Sequence, residues 1–307
     1  MIIILVGTND YMRRLEVKKL IDNFVAEHGD LALEKLDGEV VDFARVNESL
    51  LSPPFLASKK MVVLRDASLN KSLAEHIDDI LSADDDNLEL LITEAKIDKR
   101  GIFYKTLKKQ KGFREFNDLD ENSLAKWLAE LAKERDAKLA SADARHLVDK
   151  VGPNQQRLAS ELDKLVLYSK EITKSNIDIM VESSPRSTVF ELLETAFAGN
   201  AKRALELYAE QRQLKVDPQA MLALISWQLH ILALVKVAGP RSPSQIASDG
   251  GVSPYVVNKS ISTAKRLSTG ELKALIHDTL ALDIKLKSKP IDSDSALQNL
   301  IIAIANS

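Results

Sequence analysis

Strand-forming segments crowd into the first third of this chain and then stop. Between residues 1 and 118, five short apolar runs at 2–6, 40–43, 61–64, 88–93 and 113–116 alternate with helical patterns opening near Tyr11, Ser49, Ser68 and Lys99. Runs such as "LELLIT" are continuously apolar rather than alternating, the pattern of strands covered on both faces. Strand and helix in strict alternation require right-handed crossovers and therefore a parallel sheet. After Asn117 no strand pattern is expected. The chain is constrained to an α/β domain followed by an all-α region.

The all-α region divides by its punctuation. "DLDENSLAKWLAELAKERDA" offers Asp118, Asp120 or Asn122 as N-cap and sets Leu124, Trp127, Leu128 and Leu131 at helical spacing. "SADARHLVDKVG" closes at Gly152-Pro153, and "QQRLASELDKLVLYS" makes a third helix. "ESSPRST", with Pro185, reads as a linker. Thr188 and Glu191 then form a capping-box pattern opening "VFELLETAFAG", with Gly199 at its end. Further helices fit 201–212, 218–237, 243–247, 254–266, 268–286 and 293–305. The expected domains are 1–118, 119–182 and 183–307.

Composition closes off several classes of chemistry. The chain has no cysteine, which excludes disulfides, thiolate metal sites and cysteine nucleophiles and fits a reducing cytoplasm. The opening apolar run has no basic leader and ends at Gly7, too short for a signal peptide. The most apolar helix, 221–238, contains Gln228, His230 and Lys236, and reads as a core helix rather than a membrane span. The formal net charge is -3, yet residues 185–307 carry 14 Lys and Arg against 11 Asp and Glu. That mild asymmetry permits a local nucleic-acid contact without requiring one.

"GTNDYMRR", residues 7–14, lies between the first strand and the first helix, where a phosphate-binding loop would sit. Such a loop needs a second glycine, a lysine and a hydroxyl at fixed spacing from Gly7. Those positions hold Met12, Arg13 and Arg14. Met12 lacks glycine's backbone freedom and Arg14 cannot ligate a cation, so the loop keeps the shape of a nucleotide site without its chemistry. No autonomous catalytic site, cofactor or metal is expected. The five histidines, His28, His76, His146, His230 and His277, make no H-x-x-x-H pair, and the acidic run "ADDD" at 83–86 reads as a solvated loop.

The order of segments resembles one family, the delta subunit of the bacterial DNA polymerase III clamp loader. The resemblance runs through "ILVGTNDYMRRLEVKKLID", "SPPFLASKKMVVLRDA", "DKRGIFYKTLKKQKGFREF", "LAKWLAELAKE", "GPNQQRLASELDKLVLY", "VFELLETAFAGN" and "DIKLKSKPIDSDSALQNLI". Each motif alone is weak; their order and spacing together are specific. His230 departs from the family, where arginine is commoner. The resemblance implies a degenerate AAA+/RecA-like domain, a small helical lid domain and a helical C-terminal collar. It also implies a subunit that does not hydrolyse ATP, binds the ring-shaped sliding clamp (beta subunit), and works with ATPase subunits (tau/gamma) and delta-prime around primed DNA.

Within that frame "SPPFLASKK" carries the most. Pro53 and Pro54 set a rigid start to a short element, and Phe55 and Leu56 follow. Adjacent residues on a helical turn point ~100° apart, so either one of the pair is left for a partner or both pack under the following strand. The resemblance aligns Phe55 and Leu56 with the family's clamp-inserting hydrophobic pair, with Lys59 and Lys60 at the rim. Arg100, Lys105, Lys108, Lys109 and Lys111 form a basic group that is either a solvated helix face or a set of DNA phosphate contacts. A rival reading takes residues 243–266 as a helix-turn-helix regulator with Ser253, Tyr255, Asn258 and Lys259 facing a major groove. Its proline-started helices serve collar packing equally well.

Overall fold

The structure, a computed structural model, describes residues 1–54, 57–83 and 85–306. These fall into two compact units, Met1–Asp118 and Leu119–Ser307.

The first unit runs β1 (Ile2–Val6), α1 (Asp10–His28), β2 (Leu33–Asp37), α2 (Phe43–Leu51), β3 (Lys60–Arg65), α3 (Lys71–Glu75), α4 (Ile77–Ser82), β4 (Leu88–Glu94), α5 (Ile102–Lys108) and β5 (Phe113–Glu115). Its sheet is parallel throughout, ordered β2-β3-β4-β1-β5. This is the parallel α/β arrangement expected of the first domain. Alternate residues serve opposite faces: Ile4, Val6, Val62, Leu64, Leu90 and Ile92 pack beneath α2 to α5. Ile3, Leu5, Met61, Val63 and Leu91 pack against Val17 and Phe24 of α1. Burial on both faces is why these runs are continuously apolar.

One expected strand is misplaced. Residues 40–43 are not a strand: Val40 is 82% exposed, Asp42 caps α2 by accepting from the Arg45 N–H at 2.7 Å, and the helix opens at Phe43 rather than near Ser49. The second strand is instead "LEKLD" at the sheet edge. There only Leu33 and Leu36 are apolar, and Glu34 and Lys35 hide the pattern. An edge strand with charged residues is short of the signal that central strands carry.

The second unit is α6 (Glu121–Glu134), β6 (Lys138–Leu139), α7 (Ser141–Val151), α8 (Gln155–Tyr168), β7 (Glu171–Ile172), α9 (Lys174–Met180), α10 (Pro185–Phe197), α11 (Ala201–Gln213), α12 (Pro218–Ala238), α13 (Pro243–Gly250), α14 (Pro254–Arg266), α15 (Thr269–Ser288) and α16 (Ser293–Ala305). Two departures from expectation are local. A two-residue parallel pair, β6 with β7, follows Asn117 after all. And "ESSPRST" is a helix start: Ser184 accepts from the Ser187 N–H at 3.1 Å with Pro185 in the first turn, while Thr188 is buried. Proline at the first helical position explains both the apparent linker and the real start.

Helix α12 is the axis of this unit. Met221, Leu222, Ile225, Leu229, Ile231 and Leu232 are buried, and the side chain of Gln228 donates to Ser260 Oγ at 3.1 Å. Among the described residues α12 is the one helix long and apolar enough to cross a membrane. It spends its apolar sides on α10, α14, α15 and α16.

Candidate functional site

The turn after β1 is closed by its own neighbours. Gly7 sits at φ 123°, and a Cβ there would lie 2.0 Å from the Phe116 carbonyl oxygen. The Phe116 N–H donates to Val6 at 2.8 Å and the Asn9 N–H to Phe116 at 3.0 Å. Asn9 Nδ2 donates to the Asn117 carbonyl at 3.1 Å, while its Oδ1 caps α1 by accepting from the Met12 N–H at 3.1 Å. Glycine is required here because the chain leaving β5 passes against the turn. The helix N-terminus, which in a nucleotide site would face phosphate, is capped by a side chain.

Both arginines engage Asp10, though the buried Nε of Arg13 has no hydrogen-bond partner among the described residues. Arg13 is buried, donating to Thr93 Oγ1 at 2.8 Å and to Asp10 at 2.7 Å. Arg14 is exposed and pairs with the same carboxylate at 2.7 Å. Nearby Glu94, at the end of β4, is fully buried. Burial pushes its carboxyl up to about 7, against hydrogen bonds from Ser68 that favour the charged form and with repulsion from Asp66 adding to the rise. Glu94 accepts from the Ser68 N–H at 3.1 Å and from its hydroxyl at 2.6 Å, fixing the turn after β3. Nothing in the sequence marks Glu94, because a single acid ending an apolar run looks like a strand terminus. Among the described residues no group of three or more His, Asp or Glu side chains could hold a metal ion.

At the opposite ends of the strands lies the segment leading into β3. Helix α2 stops at Leu51, which is 69% exposed, and Ser52 closes it through its N–H to Glu48 at 3.0 Å. Pro53 is exposed and Pro54 half-buried. Phe55 and Leu56 lie outside the described residues. Beyond them Ala57 packs against the core on the α1 side, Ser58 Oγ stands 3.3 Å from His28 Nδ1, and Lys59 is 3.8 Å from Glu89.

Lys60 is not at a rim. It is 9% exposed, turned under α2, and its ammonium reaches the Ser49 carbonyl at 2.7 Å, Ser52 Oγ at 2.8 Å and Glu34 Oε2 at 2.9 Å. Three donors meet three acceptors, so this ammonium is fully used inside the protein. Glu34 also accepts from Ser49 Oγ and Arg45, each at 2.5 Å. Burial alone would raise the Glu34 carboxyl, but the hydrogen bonds from Ser49 and Lys60 outweigh it and hold the group below its ordinary value.

The basic group is on the surface. Arg100, Lys105, Lys108, Lys109 and Lys111 are all exposed, around an α5 whose Phe103, Tyr104 and Leu107 face the core. Arg100 pairs with Asp98 at 3.4 Å; the four lysines make no ion pair among the described residues. The helix-turn-helix reading loses its contact residues. Helices α13 and α14 do form, with a left-handed Gly251 between them, and Asn258 is exposed. But Tyr255 is 2% exposed, its hydroxyl donating to Asp149 at 3.2 Å, and Lys259 pairs with the same carboxylate at 2.9 Å. Half of the expected groove-facing set thus points into the unit. His230 is exposed on α12.

Comparison with known proteins follows the same outline. A family model described as "DNA polymerase III, delta subunit" matches residues 4–116, and a second, for the C-terminal domain of the delta subunit, matches 186–304. DNA polymerase III subunit delta of Bacillus subtilis (strain 168) is 22% identical over 317 residues, covering 98% of this chain and 91% of the relative. The solved Bacillus subtilis DNA clamp loader delta protein (YqeN) has the same fold, with a TM-score of 0.84 at 20% identity over 100% of this chain and 95% of that one.

Proposed function

Because this chain belongs to the DNA polymerase III delta-subunit family, a clamp-loader subunit of replication, we propose that it binds the sliding clamp through Phe55 and Leu56 and promotes ring opening. The observation that carries the reading is the β3 approach. It leads into the amino end of β3, and its described residues Leu51 and Pro53 are exposed. An aromatic and a leucine seated in a partner's pocket contribute ~1.5–3 kcal/mol each by area removed from water. Ring opening then needs no fuel at this site. A surface that binds the open edge better than the closed one shifts the population by that difference. Lys59 at the rim affects approach rate more than affinity.

In the assembled loader, 119–182 acts as the lid and 183–307 as the collar domain, which joins the ATPase subunits (tau/gamma) and delta-prime in the cytoplasm. The exposed lysines around α5, with Arg100, contact the backbone of primed DNA. Such contacts are independent of base sequence and weaken as salt rises. One reconstitution tests both contacts. A loader carrying Phe55→Ala/Leu56→Ala assembles but loses clamp binding by two orders of magnitude or more, on the order of the two side chains' summed burial. A loader with Lys105, Lys108, Lys109 and Lys111 changed to glutamate keeps the clamp and shows a flatter salt dependence for primed DNA. Normal clamp affinity in the first variant refutes the anchor; an unchanged salt slope in the second refutes the DNA contact.

A further inference from the structure

We infer that Lys60 is a positioning residue: its buried ammonium ties the start of β3 to the end of α2 and thereby fixes the two residues, Ser52 and Lys60, between which the clamp-binding stretch runs. This rests on the clamp-binding reading above. The geometry is that of a closed loop base. Lys60 Nζ meets Ser52 Oγ at 2.8 Å, so the residues on either side of the proline-led segment are joined directly. The same ammonium takes the Ser49 carbonyl at the C-terminal end of α2, where a cation is favoured. Glu34 of β2 completes the site at 2.9 Å and is itself held by Ser49 and Arg45.

The other side of the sheet is braced as well. Ser58 meets His28 at the end of α1, and Ala57 packs on the α1-side core. Lys60 faces α2 while Ser58 faces α1, so both shoulders of the segment are fixed, one on each layer. Replacing Lys60 alone by an apolar side chain would fill the space but leave Glu34, the Ser49 carbonyl and Ser52 without their shared donor. What an apolar side chain cannot do is join two chain segments through three directed bonds. Fixing the ends in advance lowers the ordering entropy that binding would otherwise cost, which raises affinity without adding a contact.

The test uses the full chain and the cognate sliding clamp, with affinity measured by titration. Lys60→Met is expected to weaken clamp binding about tenfold, and Ser52→Ala, which leaves Lys60 bonded to Ser49 and Glu34, about threefold, on the scale of one charged hydrogen bond lost or weakened. Assembly with the partner ATPase subunits is unchanged in both. A double-mutant cycle separates positioning from general weakening. In a Leu56→Ala background the Lys60→Met factor shrinks, because the two residues act through one contact. If the factor is the same in both backgrounds, or if both variants bind like the parent while Phe55→Ala/Leu56→Ala does not, the positioning role is wrong and the anchor stands. If that last double variant binds normally, the clamp reading itself falls. Should Lys60→Met fail to fold, Ser52→Ala decides: parent-like affinity rejects the inference.

Discussion

The turn after β1 and the approach to β3 sit at opposite ends of one parallel sheet, and they differ in where their polar groups go. At the turn, Asn9 and the Phe116–Asn117 main chain consume one another's hydrogen bonds, the Arg13 side chain is taken by Thr93 and Asp10, and a glycine is needed merely to let the backbones pass. At the approach, the polar groups of Ser49, Ser52, Lys60 and Glu34 are consumed at the base while apolar and proline residues stand outside it. Open α/β sheets ordinarily bind ligands at the carboxyl ends of their strands. Here the turn itself is packed, although a cleft of about 660 Å³ lined by Asp10, Arg13, Arg14, Arg65, Asp66 and Thr93 lies beside it, and the segment proposed to meet a partner is at the amino end. The lesson concerns scaffolds: a turn can keep the outline of a phosphate loop while its polar groups are used in packing, and the proposed partner surface is at the other end of the same sheet.

The sharpest way to probe the packed turn is Gly7→Ala. A Cβ would be driven to 2.0 Å from a backbone oxygen, at a φ of 123° that side chains rarely adopt. Neither neighbour is a flexible side-chain tip that could swing away. The expected cost is at least ~3–5 kcal/mol of stability, in the range of severe core and strain mutations. Denaturant unfolding of the parent and variant measures it. The matching change at the other end, Leu51→Ala, removes an exposed side chain and should stay within ~0.5 kcal/mol. Similar costs at the two ends would break the comparison.

A smaller effect distinguishes the ends by pH. Glu94 has a folded-state value of about 7 against an ordinary 4.5, because it is buried. Between those values the folded carboxyl keeps its proton while the unfolded one has lost it. Stability therefore falls as pH rises through this window, by up to ~3 kcal/mol once the folded group is also charged. Glu94→Gln should flatten this part of the stability profile and be at least as stable as the parent above about pH 7. A slope between about 4.5 and 7 that is identical in parent and variant would show that Glu94 is not held in the state its burial implies.

Much of this is legible in the residues, and what is not has physical causes. Central strands covered on both faces announce themselves, as β1, β3 and β4 do; the charged edge strand β2 does not, because Glu34 serves Lys60 and Arg45 rather than the core. The departure from the phosphate-loop pattern is readable from Met12 and Arg14, yet the reason for Gly7 is not. It depends on Phe116, which is distant in sequence and is brought alongside only when β5 pairs with β1. Lys60 misleads for a related reason. A lysine beside an exposed segment reads as surface, and only its pairing opposite Leu88 of β4 and its bonds to Ser49 and Ser52 reveal that it faces inward under α2. Long-range pairing is the information that local pattern lacks.

The last test asks whether the turn after β1 is closed by its residues or by its geometry. Changing Met12→Gly, Arg13→Lys and Arg14→Ser writes the missing phosphate-loop residues back into the turn. If side-chain identity were the obstacle, magnesium–ATP binding should appear in a calorimetric titration. The expected result is none. The Asn9 side chain still takes the Met12-position N–H, and the Phe116 backbone still lies against Gly7 where a phosphate would need the loop to open. Removing Arg13 additionally forfeits its bonds to Thr93 and Asp10, a loss of ~1–3 kcal/mol in stability with no gain in affinity. Nucleotide binding by that triple variant would mean the turn is a dormant site rather than a packed joint, and the contrast between the two ends of the sheet would reduce to a few substitutions.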